Sequence, residues 1–336
     1  MLERPDLQDE KIVACLGADY GLPAVQVTFL PLGADQNTAV YRVVAVDQTP
    51  YFLKLRRGGF EETSVTLPKF LRDQGIVQVI APLENQAGQL WGRLDAFTVI
   101  LYPFVEGRDA YEVGLSDGHF RQLGQALRRL HTLPVPRALR ASLRHETYSP
   151  RWRDGAKTFL AQAATGAWAD PVAAETAALL RARRGQILDL VSRAERLARA
   201  LQAEAPEEVV CHSDLHAGNL LIGACDALHI VDWDSPILAP KERDLMYIGG
   251  GQLARWRTPR EEEAAFYPSY GETQINQSAL AYYRYERIVE DIAVYCEQLL
   301  ATTEGGEDRP QSLRYLASNF LPGNTIQIAY QSDKTL

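Results

Sequence analysis

Val210-Cys211-His212-Ser213-Asp214-Leu215-His216-Ala217-Gly218-Asn219-Leu220-Leu221-Ile222 is followed, after a turn, by His229-Ile230-Val231-Asp232-Trp233-Asp234. Two short apolar segments flank a polar loop, which is the pattern of strands meeting at a sheet end. Asp214 and Asn219 stand on the loop five residues apart, and Asp232 closes the second apolar segment. Three oxygen-bearing side chains can therefore converge at one mouth, and oxygen donors suit a hard cation.

Phosphoryl transfer asks little of a protein beyond positioning and the neutralisation of charge on the transferred oxygens. Asp214 can orient an acceptor hydroxyl and take its proton, while Asn219 and Asp232 can hold magnesium against nucleotide phosphates. A positive side chain is also needed. In Tyr51-Phe52-Leu53-Lys54-Leu55 the period-2 alternation puts Lys54 on the face opposite Leu53 and Leu55. Glu61 or Glu62, at the start of the next helix, is expected to fix the reach of Lys54, with Glu62 preferred.

Outward from this constellation, residues 25–29, 39–46, 51–55 and 97–102 read as strands of a mostly antiparallel sheet, with a helix over 61–74 closed at Gly75. After Pro103 the period changes. Phe120, Leu123, Leu127 and Leu130 recur at helical spacing between a cap at Ser116 and a stop at Pro134, and long helices follow over 171–204 and 280–300. Where the two regimes meet, Tyr102-Pro103-Phe104-Val105-Glu106-Gly107 has the composition of a stiff hinge. The expected fold is α+β and bilobal, with a small antiparallel-sheet lobe over 1–102 and a larger, mainly helical lobe over 103–336.

The whole chain, 336 residues with 46% hydrophobic and 23% charged, has a globular composition and suffices for two lobes. Its net charge of −8 disfavours nucleic acid and favours small cations as partners. No apolar run approaches a bilayer span and the first residues carry no leader-like segment, so the chain reads as cytoplasmic with no membrane partner. Cys15, Cys211, Cys225 and Cys296 lack metal or disulfide spacing and read as free, buried thiols, with Cys211 a core residue at a strand end.

His212-x-Asp214, Asn219 and Asp232 together resemble the signature of the aminoglycoside phosphotransferase family, which has the protein-kinase-like fold. The resemblance extends along nearly the whole chain, including Ala239-Pro240-Lys241-Glu242-Arg243-Asp244-Leu245-Met246 and Tyr283-Arg284-Tyr285-Glu286-Arg287-Ile288-Val289-Glu290-Asp291. It implies ATP and magnesium as cofactors, Asp214 as base, Asn219 and Asp232 as metal ligands, and Lys54 on the phosphates. It also implies Tyr102, Phe104 and Val105 at an adenine-contacting hinge, and as acceptor a hydroxyl of a cationic aminocyclitol or aminoglycoside such as spectinomycin. The sequence departs from the family pattern in Ser213, where Gly is usual, in Ala217, where Pro is frequent, and in Asp232-Trp233-Asp234 for Asp-Phe-Gly, yet no oxygen donor is lost. The loop Leu32-Gly33-Ala34-Asp35-Gln36-Asn37-Thr38 has a single glycine, and Asp35 and Asn37 are its polar candidates for phosphate contact.

Other readings compete. His212, Asp214 and His216 can be drawn as the ligands of a metal hydrolase, but that leaves Asn219, Asp232 and Lys54 without roles. A nucleotide-binding pseudokinase is the alternative outside enzymes, and choline-like alcohols, fructosamines, sugar alcohols or a protein hydroxyl are alternative acceptors. Glu286, Glu290 and Asp291 either attract an ammonium group or form an ion-paired helix face with Arg284 and Arg287. Trp233 and Asp234 are a further candidate wall and charge for the acceptor. Phe266, Tyr267 and Tyr270 read as pocket lining or as core, with core preferred, and His119 and His131 as helix-surface positions.

Overall fold

The computed structural model describes residues 4–33, 37–253, 256–303, 305–306, 308–321 and 323–334. The chain forms two compact units, Met1–Leu143 with Ala217–Pro236, and Arg144–His216 with Ile237–Leu336. The first unit is built on strands β1 (Ala24–Leu30), β2 (Thr38–Ala45), β3 (Pro50–Arg57), β4 (Gly92–Leu94) and β5 (Phe97–Pro103). They form one antiparallel sheet in the order β1-β2-β3-β5-β4. Tyr41, Val43, Leu53, Leu55, Val99 and Leu101 are buried from one side of it against helix α1 (Asp9–Tyr20) through Ile12 and Leu16. Each such side chain contributes about 1.5–3 kcal/mol on burial. This helix goes beyond the sequence expectations, although Ile12 and Leu16 at i,i+4 followed by a left-handed Gly21 at φ 62° mark it.

Helix α2 (Thr63–Asp73) follows β3, and Gly75 at φ 79° ends it as expected. Beyond β5 a second sheet pairs Gly107–Asp109 with Leu220–Gly223, which pairs in turn with Leu228–Ile230. Glycine is required at 107, because a Cβ there would stand 2.5 Å from the Ile222 carbonyl oxygen. The helix Asp117–Thr132 buries Phe120, Leu123, Leu127 and Leu130 and starts at the expected cap. His119 and His131, expected on the surface of this helix, are buried instead. His119 Nδ1 accepts from the Ser116 amide at 3.0 Å while Ser116 Oγ accepts from the His119 amide at 3.2 Å, a capping box closed by an imidazole in place of a carboxylate. The other ring nitrogen lies 2.8 Å from Asp226, which explains why a polar ring is tolerated inside.

The second unit is mainly helical. Helix Gln277–Leu300 is buried on most of its surface, through Tyr282, Tyr283, Tyr285, Ile288, Val289 and Ile292 among others. It packs on Arg151–Thr165 and on Pro171–Glu204, with Thr325–Asp333 alongside. The 34-residue helix runs over the expected span because Asp170 caps it, Pro171 occupies its first turn and Ala205 leaves it in the left-handed region. A small sheet places Ile237–Ala239 between Arg144–His145 and Val209–Cys211. Cys211 is fully buried there and Cys296 is buried in the long helix, whereas Cys15 is half-buried and Cys225 exposed, so burial of thiols holds for two of the four. Phe266 and Tyr270 are core residues as expected. No described helix is long and apolar enough to cross a membrane.

Candidate functional site

In the first unit, β3 alternates as the sequence requires: Leu53 and Leu55 face the core, and Lys54 and Arg56 take the other face. Lys54 Nζ donates to Asp232 Oδ1 at 2.9 Å and to Asp234 Oδ1 at 2.7 Å, and Arg56 Nη1 donates to Asp234 Oδ2 at 2.6 Å. Burial works against the Lys54 ammonium, but the charges of Asp232 and Asp234 outweigh it and hold its pKa above the ordinary range. Glu62 is not the partner of Lys54. It sits exposed before the first turn of α2, and its carbonyl accepts from the Thr66 amide and hydroxyl.

Asn219 and Asp232 are brought together by the hairpin register. The Val231 amide donates to the Asn219 carbonyl at 3.0 Å, so Asp232 leaves the strand beside Asn219. Asn219 is buried, while the Asp232 side chain is 44% exposed. Asp232 itself adopts φ 63°, a left-handed conformation that aspartate tolerates better than most residues. An amide oxygen and a carboxylate on neighbouring positions form a hard donor pair that fits magnesium. Trp233 is buried with its indole N–H donating to the Ile230 carbonyl at 3.3 Å, so it is a core prop of this turn and not an exposed wall.

Tyr102 and Phe104 cluster with Phe52, ring centroids 6.3 and 6.5 Å apart, where β5 gives way to the 103–106 segment. Burial pushes the Tyr102 phenol above its usual range. Val105 is half-buried beyond them. Asn37 is exposed just before β2, its carbonyl accepting from the Arg57 amide at 2.8 Å. Asp35 lies outside the described residues.

In the second unit, the loop after Val209–Cys211 is organised by a buried carboxylate that the sequence did not single out. Asp244 accepts from the His212 amide at 2.9 Å and from the Ser213 amide at 2.7 Å, one on each oxygen. Ser213 is at φ 74°, which accounts for the glycine usual at this position in the resemblance. His212 Nδ1 accepts from the Asp214 amide at 3.2 Å, and the imidazole is buried. Asp214 Oδ1 accepts from Arg287 Nη1 at 2.7 Å and from the Tyr247 hydroxyl at 3.2 Å, and Oδ2 lies 3.7 Å from His216 Nε2. Burial pushes the Asp214 pKa up, but Arg287, then His216 and His212, then the Tyr247 hydroxyl outweigh it and hold the carboxyl down at about 2. A carboxylate so stabilised is ionised at any physiological pH and is a weak proton acceptor. A carboxylate of this kind can orient a hydroxyl and receive a proton late, as the loose transition state of phosphoryl transfer permits.

The acidic residues of the long helix are ion-paired: Glu286 with Arg153 at 3.3 Å, Glu290 with Arg243 at 3.9 Å and Asp291 with Arg287 at 3.1 Å. Burial, opposed by the arginines, raises Glu286 to about 7 and Asp291 to about 6. Asp244, Tyr247 and Arg287 are the partners of this loop that sequence reasoning passed over. Asp244 and Arg287 lie in stretches that carry the family resemblance, but Arg287 stood out only as an ion-pair partner of its own helix.

The model of the phosphotransferase enzyme family matches residues 28–286. A search of curated protein sequences finds no match. The structure of spectinomycin phosphotransferase APH(9)-Ia in complex with ADP and spectinomycin is 35% identical, with a TM-score of 0.91, covering 98% of this chain and 100% of that chain. Its AMP-bound complex is 35% identical with a TM-score of 0.85, covering 96% of this chain and 98% of that one. An aminoglycoside phosphotransferase from Alicyclobacillus acidocaldarius, 13% identical with a TM-score of 0.60 over 99% of this chain and 97% of that one, shares the fold. With the family match over most of its length, this chain belongs to the phosphotransferase enzyme family and is a small-molecule phosphotransferase of kinase-like fold.

Proposed function

We propose that the protein transfers the γ-phosphoryl group of ATP to a hydroxyl of a cationic aminocyclitol, spectinomycin foremost, and so confers resistance to it in the cytoplasm. The observation that carries this reading is the Asp214 carboxylate, held ionised by Arg287 and Tyr247 on a loop pinned by Asp244. The 35% identity to a protein whose complex contains ADP and spectinomycin supports the substrate.

In this reading Asp214 receives the acceptor hydroxyl, Lys54 neutralises nucleotide phosphate, and Asn219 and Asp232 are the residues that would hold magnesium. Bound there, the ion would neutralise phosphate charge. Tyr102, Phe104 and Val105 are proposed to meet the adenine, with Asp35 and Asn37 near the phosphates, and the lobes to divide at 102–107. The acidic surface that a net charge of −8 implies would attract a cationic acceptor at low salt.

The test is a mass-spectrometric acceptor panel, spectinomycin against choline, ethanolamine and fructosamines, with ADP release followed in parallel. Spectinomycin is expected to gain one phosphate. Asp214→Asn should reduce turnover by about three orders of magnitude or more with ADP affinity within roughly twofold of native. Phosphorylation of another acceptor with spectinomycin untouched would overturn the substrate, and near-native turnover in Asp214→Asn would remove the base.

A further inference from the structure

Two cations on β3, not one, converge on a single anion. Lys54 and Arg56 are successive residues on the same face of the strand, and Asp234 accepts from both, Oδ1 from Lys54 at 2.7 Å and Oδ2 from Arg56 at 2.6 Å. Arg56 is braced from behind, because its Nε donates to the Gly59 carbonyl at 3.1 Å just past the left-handed Gly58 at φ 82°. A guanidinium held by its Nε presents its remaining donors in a fixed direction, as bidentate recognition of a carboxylate or a phosphate needs. Lys54 is only 8% exposed. A buried ammonium needs an anion beside it at all times.

We propose that Arg56 is a second phosphate-binding cation, and that the Lys54–Arg56 pair grips two adjacent phosphoryl groups of a nucleoside di- or triphosphate. Asp234 is then a resident stand-in anion: phosphate oxygens replace its carboxylate on the two cations when nucleotide binds. This rests on the nucleotide reading of the site and deepens it, since it makes the strand a reader of polyphosphate length. A monophosphate has no second phosphoryl group for Arg56. Asp234 accordingly belongs with the nucleotide and not with the acceptor, because both its oxygens already turn to β3.

The experiment titrates AMP, ADP and a non-hydrolysable ATP analogue calorimetrically into the native chain and into Arg56→Gln, Arg56→Lys and Asp234→Asn, with magnesium and again with EDTA. Arg56→Gln is expected to weaken ADP and the ATP analogue by roughly tenfold or more, the loss of a charge-assisted hydrogen bond, with AMP changed by less than about twofold. Arg56→Lys keeps the charge without the fork and should recover part of the loss, a control for folding as well as for geometry. Asp234→Asn should tighten ADP when metal is absent. Equal losses for AMP and ADP, or none for either, would overturn the proposal and leave Arg56 a mere partner of Asp234. Native binding with an unresponsive Arg56→Gln defeats this inference alone, whereas a native chain that binds none of the three defeats the nucleotide reading and this one with it.

Discussion

As the proposed base, Asp214 carries two opposed demands, to stay ionised and to accept a proton, and Arg287 bears on the balance between them. The guanidinium 2.7 Å from Oδ1 is the main force that holds the carboxyl at about 2. The working form of a base is the deprotonated one, so in the proposed mechanism activity is expected to fail only as pH drops through that value. Native kcat/KM is therefore expected to show no acid limb from Asp214 at any pH where the chain is folded. Arg287→Gln removes the charge and lets burial raise the pKa, moving the acid limb up by roughly 1–3 units. A pH profile of that variant that matches the native one would show that Arg287 does not tune the base. At this scale the sequence was informative where a residue's chemistry shows in its type and spacing, as for Asp214, Asn219, Asp232 and Lys54. It was silent on Asp244, Tyr247 and Arg287, whose contacts with the loop span more than thirty residues.

Among the elements, those with strong local punctuation agree closely with expectation. The helix Asp117–Thr132 has a serine cap and an apolar stripe, and the 171–204 helix has aspartate and proline at its head. The His119 capping box yields a direct test, since Ser116 is exposed and its hydroxyl has one clear duty there. Ser116→Ala should lower unfolding free energy by about 1 kcal/mol, read as a lower urea midpoint at unchanged slope. No change would mean that the imidazole and its Asp226 contact hold the helix start alone. Helix α1 was missed because only Ile12 and Leu16 are fully buried on it, too thin a stripe to stand out from a polar neighbourhood. The burial of His119 was illegible for a related reason: the partner that makes it tolerable, Asp226, lies 107 residues away.

For the molecule as a whole, stability is expected to depend on pH through buried carboxylates. Glu286 and Asp291 have folded pKa values of about 7 and about 6, above the model-compound values of 4.5 and 3.8. Between those limits the native state binds more protons than the unfolded chain, so both groups make stability fall as pH rises through that window. Glu286→Gln removes one of the two contributions. Its melting temperature relative to native should climb between pH 5 and pH 8, and a constant difference across that range would show that Glu286 is ionised throughout.

The sequence by itself determined the phosphotransferase class and the class of fold, an antiparallel sheet with an α-helical remainder, and singled out Asp214, Asn219, Asp232 and Lys54 for the proposed site, because residue type, spacing and periodicity are local properties. Only the tertiary structure decided the partners. It gave Lys54 to Asp232 and Asp234 in place of Glu62, set Arg56 beside it, and placed Arg287 on Asp214. Ion pairs depend on distances of a few ångströms between segments remote in the chain, and those distances exist only once the core has packed.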